Sequence, residues 1–162
     1  MLLVIFSSQN YININPEKLS KNISAYPMIH AQTSELRRAF NIHRSLANPL
    51  DSNSHYLILF YAIECGLKYA YLRENRFSST DQDREKFEKY RHDITGWLAE
   101  LRIPRQRLSL RNNFHYKQRN GQSPIKEIHE AWRYGILINE DDEDEIVSTL
   151  KKLESWIEEN WS

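Results

Sequence analysis

The stretch HYLILFYAIECGLKYAYLRENR, residues 55–76, constrains the fold more than any other part of the chain. Wound as a helix, it carries apolar side chains around most of its circumference. A helix that is apolar nearly all round has to be buried by its neighbours. Tyr56 to Tyr61 alone would suit a strand as well, but the length of the whole run decides for a helix. Asp51, Ser52 and Asn53 supply the turn before it. This segment is therefore expected to be the central helix of an all-α bundle, with the other helices arranged around it.

The rest of the chain supplies candidate neighbours. MLLVIF at the start is apolar but short, lacks basic flanks and is followed by polar SSQN, so it reads as a short strand or a packed arm. Asn15-Pro16-Glu17 opens a short helix with Leu19 and Ile23 on one face, and Pro27 closes it. A second helix opens at Thr33 or Ser34, runs through Leu36, Phe40 and Leu46, and stops before Asn48-Pro49. Beyond the central helix, Phe87, Tyr90, Ile94, Trp97 and Leu101 recur at steps of three and four, which predicts one amphipathic helix ended by Pro104. Ser123-Pro124 starts another, carrying Ile125, Ile128 and Trp132, with Gly135 as its C-terminal signal. Residues 140–145 are all acidic and precede the stripe Ile146, Leu150, Leu153 and Ile157. The expected fold is an antiparallel bundle of five to six helices, with or without a short N-terminal strand, forming a single domain over residues 1–162.

Composition agrees and excludes some functions. With 4 Gly and 5 Pro in 162 residues, a turn-rich all-β chain is disfavoured. The formal net charge is zero, which argues against tight, non-specific coating of nucleic acid and leaves room for a local basic patch. One cysteine, Cys65, excludes an intramolecular disulfide and fits a reducing, cytoplasmic setting. No segment reaches the length of a membrane span. Zinc spacings, Gly-rich phosphate loops, nucleophile elbows and calcium loops are all missing, so no cofactor or metal is expected.

Four constellations carry chemistry. Glu64 and Lys68 are four apart on the apolar helix, in the favourable order for an ion pair. They read either as an internal pair that fixes helix register or as a polar pocket in which Lys68 meets a phosphate. Arg91-His92-Asp93 offers a tunable imidazole beside a carboxylate, although successive helical residues point apart, which favours capping or an inter-helix contact. Trp132-Arg133-Tyr134 sets a guanidinium between two rings, suited to stacking, to an ion pair with Glu64 or Asp93, or to a phosphate. Between Leu101 and Lys126 there is no acid, while Arg102, Arg105, Arg107, Arg111, Lys117, Arg119 and Lys126 are interleaved with Phe114, His115 and Tyr116. Cations among aromatics suit single-stranded RNA or DNA; a solvated basic loop neutralised by residues 140–145 is the plainer alternative. If that stretch is helical, Arg111 and His115 share a face and form a pair able to cleave RNA without metal: His moves a proton and Arg steadies the phosphorane.

Three of these segments, in order, resemble the HEPN family of prokaryotic helical domains. AIECGLKYAYL is similar to its Glu-x-x-Leu-Lys helix and HDITGWLAEL to its His-Asp-Leu segment. WRYGI, with the acidic loop and final helix, is similar to its Arg-Tyr segment. The resemblance spans about residues 55–161, and residues 1–50 have no counterpart in it. It implies a helical bundle that often dimerises and binds nucleotide or RNA. It also implies a partner protein, an antitoxin or a nucleotidyltransferase-like protein, in a toxin–antitoxin or antiviral system. Carried over, Glu64, Lys68, His92, Asp93 and Arg133 line its polar region. Many members are ribonucleases with Arg, four to six residues, then His. Arg111 and His115 have three residues between them; Arg38 and His43 have four, but lie before the central helix.

The leading expectation is thus a nucleotide- or RNA-binding domain using Glu64, Lys68, His92, Asp93, Arg133 and Arg107. A metal-independent endoribonuclease acting through Arg111 and His115 is the second reading, and a non-catalytic protein-interaction module the third.

Overall fold

A computed structural model describes residues 29–103, 108 and 110–161. The apolar start, the short helix opening at Pro16, and Arg105 and Arg107 lie outside the described residues. Among the described residues there are six α-helices. They are α1 (Thr33–Leu46), α2 (Asn53–Glu74), α3 (Arg84–Tyr90), α4 (Ile94–Glu100), α5 (Ile128–Arg133) and α6 (Glu140–Trp161). A two-stranded sheet, β1 (Asn113–His115) and β2 (Gln122–Pro124), is inserted between α4 and α5. The chain is an all-α helical bundle, and no helix among the described residues is long and apolar enough to cross a membrane.

The central helix is α2. Leu59, Phe60, Ala62, Ile63, Leu67, Ala70 and Leu72 are buried around its whole circumference, as its composition requires. It packs against α1, α4, α5 and α6. Each fully buried Leu, Ile or Phe contributes about 1.5–3 kcal/mol from water exclusion. α1 turns Leu36 and Phe40 inwards, while Leu46 stands exposed. From α6 come Ile146, Leu150, Leu153 and Ile157, the stripe read from its sequence. The acids at 140–145 do not merely precede this helix; they form its first turns, where carboxylates complement the helix dipole.

Two local expectations are corrected. The amphipathic run from Phe87 to Leu101 is not one helix. It breaks at Arg91, whose φ is +36°, and restarts at Asp93, whose side chain caps α4 by accepting from Gly96 N–H at 3.1 Å. Phe87 and Trp97 still share the core, with ring centroids 4.8 Å apart, so the three-four periodicity survives the break. The second correction concerns the basic stretch around Arg111 and His115. Its aromatic part is a hairpin, with Asn113 opposite Pro124 and His115 opposite Gln122. Phe114 is buried on one side of the strand and His115 is exposed on the other, the alternation of a half-buried strand. Residues 116–121, with Gly121 at φ +123°, make the reversal, and Ser123-Pro124 both ends β2 and opens the helical run, Pro124 capping a 3-10 turn, Ile125–Glu127, that leads into α5.

α1, α2 and α6 meet at Gly66. A Cβ there would stand 2.8 Å from Ile157 Cδ1 and 3.0 Å from Phe40 Cδ2. Gly66→Val is therefore expected to overpack the junction and lose about 1–3 kcal/mol, or roughly 2–4 °C of Tm per kcal/mol for a domain of this size. Gly66→Ala is expected to lose less, because the gain in helix propensity of about 1 kcal/mol offsets part of the crowding. Thermal denaturation followed by circular dichroism reads both; an unchanged Tm for Gly66→Val would contradict this packing.

Candidate functional site

Glu64 is the charged group in the middle of α2, and it is buried at 6% exposure. An isolated carboxylate there would be very costly, so it has to be paired. One oxygen accepts from Lys68 Nζ, four residues along the helix. The other meets His92 Nδ1 at 2.8 Å. The break between α3 and α4 is what brings His92 in: a continuous helix would have carried it past α2, whereas the reversal at Arg91 presents it to the carboxylate. Burial pushes the Glu64 carboxyl up, but the hydrogen bond from His92 and the charge on Lys68 outweigh burial and hold it below the usual carboxylate range.

Rings and one cation extend this centre to the surface. His92 lies 4.9 Å from His129, which stacks on Phe60 at 5.0 Å and 20°. Burial pushes the His129 ring down, and the nearby charge of His92 adds to the effect. On the outer side, Tyr61 lies 6.3 Å from His92, and its hydroxyl accepts from Arg133 Nη2 at 2.5 Å. Arg133 is exposed and, among the described residues, meets no carboxylate; the ion pair to Glu64 or Asp93 raised by the sequence is not formed. Four residues singled out by sequence, Glu64, Lys68, His92 and Arg133, thus gather on one side of α2, with Tyr61 as the link. Asp93 does not join them; it caps α4. Tyr61 and His129 were not anticipated, because each looks like an ordinary aromatic position until α5 is placed against α2.

Arg111 and His115 meet elsewhere, around a residue the sequence did not mark. Asp142 is buried at 3% exposure at the start of α6. Its Oδ2 accepts from the His115 backbone N–H at 2.7 Å and meets His115 Nδ1 at 2.8 Å, while its Oδ1 pairs with Arg111 Nη1 at 2.6 Å. Burial opposes the Asp142 charge, yet these hydrogen bonds and the guanidinium hold its carboxyl below the ordinary range. The pair does not share a helix face, as its spacing suggested; a strand and a helix start converge on one carboxylate instead. Arg111 also bonds Glu145, and Lys117 pairs with Glu140. Acids of the first turns of α6 therefore take up part of the basic charge, as the plainer alternative for this stretch had it. Asp142 was hidden because six adjacent acids look alike in sequence.

Among the described residues no group of three His, Cys, Asp or Glu side chains is set to hold a metal ion. Comparison with family models, with characterised proteins and with solved structures finds no match to this chain.

Glu64→Gln is expected to leave the Lys68 ammonium buried without its counter-charge. At pH 7 this should lose about 3 kcal/mol, the lower end for breaking a buried pair, since Lys68 keeps 16% side-chain exposure. The double variant Glu64→Leu/Lys68→Met is expected to recover most of that loss. Because the folded Glu64 value lies below the unfolded one, about 4.3, its contribution is whole above that pH and is lost as pH falls through the folded value. The wild type should therefore lose more stability than the double variant on acidification below about pH 4.3. Urea unfolding at several pH values measures this; parallel acid limbs would count against the pairing.

Proposed function

We propose that this chain is a HEPN-like nucleotide- or RNA-binding domain, acting with a partner protein in a toxin–antitoxin or antiviral module. In this reading the ligand sits on the surface formed by Tyr61, His92 and Arg133 above the buried Glu64–Lys68 pair. The observation that carries it is the pairing of accessible rings with a guanidinium free of carboxylates: Tyr61 and His92 stand side by side, and Arg133 is held by the hydroxyls of Tyr61 and Tyr134. Single-stranded nucleic acid is bound by such a combination, through stacking on rings and phosphate contacts to Arg. The HEPN resemblance names Glu64, Lys68, His92 and Arg133 in the same segments, which supports the reading independently. Lys68, already paired to Glu64, holds the carboxylate that orients His92; the phosphate falls to Arg133.

Short single-stranded RNAs and mononucleotides, titrated against the full chain at near-physiological salt, are expected to bind saturably. Arg133→Ala should weaken binding and reduce its salt dependence, and Tyr61→Ala should lose about 1–3 kcal/mol per stacked base. No saturable binding, or wild-type affinity in both variants, would end this reading.

A second reading rests on Asp142. Its carboxylate holds Nδ1 of His115, whose side chain is 58% exposed, and also pairs with Arg111. An imidazole oriented in this way can take the proton of a ribose 2′-hydroxyl as that oxygen attacks phosphorus and the bond from phosphorus to the 5′-oxygen breaks, the 5′-oxygen leaving with a proton from water, while Arg111 stabilises the charge that develops. This metal-independent endoribonuclease is expected to cut RNA in EDTA and leave a 2′,3′-cyclic phosphate end. His115→Ala should slow cleavage by about 100-fold or more. Cleavage unchanged in that variant would remove the assignment.

A further inference from the structure

α1 and α2 border an open groove of about 800 Å³ on a face that neither constellation uses. Arg37, Arg38 and Asn41 of α1 and Arg73 of α2 form its polar rim, and Ile42 and Leu46 its apolar part. Ile42 is 49% and Leu46 58% exposed, and together they form a small apolar patch beside the cationic rim. They lie four residues apart, so they stand one above the other on the same face of α1. Among the described residues none of the three arginines meets a carboxylate, whereas Arg44, on the same helix α1, pairs with Glu158. Arg73 lies over the Tyr69 ring at 6.0 Å.

We infer that this groove docks an acidic amphipathic helix of a partner protein, with its apolar face on Ile42 and Leu46 and its carboxylates on Arg37, Arg38 and Arg73. The aliphatic anchors and cationic rim match the helix-in-groove mode of recognition. Nucleic acid fits less well. Tyr69, the aromatic residue lining the groove, is 4% exposed and offers no face for a base to stack on. A second copy joined groove to groove would set arginines against arginines. The acidic run of a second copy is poorly placed to serve instead: Glu140, Asp142, Glu143 and Glu145 are already bonded to Lys117, Arg111 and His115, Trp132, and Arg111. Residues 1–28 of the same chain carry Glu17 against Lys18 and Lys21, so they do not complement the rim.

The probe is a labelled synthetic peptide of about 20 residues with leucines at helical spacing on one face and glutamates flanking them, and its partner with glutamine for every glutamate. Fluorescence anisotropy with the full chain should show saturable binding of the acidic peptide and much weaker binding of the glutamine one. Arg38→Glu and Ile42→Asp should each weaken it by about tenfold or more, with Leu46→Asp as the substitute if Ile42→Asp lowers the Tm. Arg133→Ala should leave it unchanged, which separates this site from RNA binding. Arg37, Arg38 and Arg73 should react with phenylglyoxal in the free chain and be protected by the peptide. No saturable binding, or wild-type affinity in both groove variants, would overturn the inference. So would displacement by single-stranded RNA, self-association abolished by Ile42→Asp, or arginines already protected in the free monomer.

Discussion

A carboxylate inside the most apolar helix of the molecule must find positive charge or give up its own. Glu64 finds it twice, from Lys68 within α2 and from His92 across the bundle. Much of the local architecture follows from that requirement. The chain between α3 and α4 has to reverse at Arg91 so that His92 can turn inwards, and Asp93 has to restart the helix at once by capping α4. His92 then sets its ring against His129, which stacks on Phe60, so α5 is drawn to the same side of α2. Pairs of this kind add little net stability compared with a well-packed apolar core, but removing one member is severe. Their natural role here is to hold one arrangement of helices, and to leave rings and a guanidinium facing outwards.

The Asp142 centre is built by the same logic on the other elements. A buried acid at a helix start gathers an imidazole, a backbone N–H and a guanidinium. The helix dipole favours a negative charge in that position, and Asn139 Oδ1, which accepts from Asp142 N–H at 3.2 Å, fixes the turn. Two buried carboxylates thus organise the polar chemistry of the bundle, one through a break in a helix and one through a hairpin. The groove along α1 differs in kind. Its cations are exposed and have no such partner among the described residues, which is why it reads as a surface awaiting another molecule.

The two centres differ in how far they could be read from sequence. α2 was legible because an unbroken apolar helix admits one placement, and α6 because its stripe repeats cleanly from Ile146 to Ile157. Glu64 and Lys68 were legible as a pair because both lie on one helix at fixed spacing. His92 was visible as a candidate, but the break that delivers it was not: Phe87 to Leu101 keeps its periodicity straight through the interruption, since two short helices at an angle can bury the same residues as one long one. Arg111 and His115 were rightly linked for the wrong geometric reason. Three-residue strands carry almost no periodic signal, and the acid that joins the pair sits in a run of six where spacing distinguishes nothing.

The direct test of the Glu64 centre is the titration of its side-chain carboxyl carbon by ¹³C NMR, assigned by comparison with Glu64→Gln. The account expects the midpoint of that transition to lie below the ordinary glutamate value of about 4.3, and Lys68→Met to shift it upwards. A Glu64 carboxyl that takes up its proton above the usual carboxylate range would contradict it, because the acid would then be buried without effective partners.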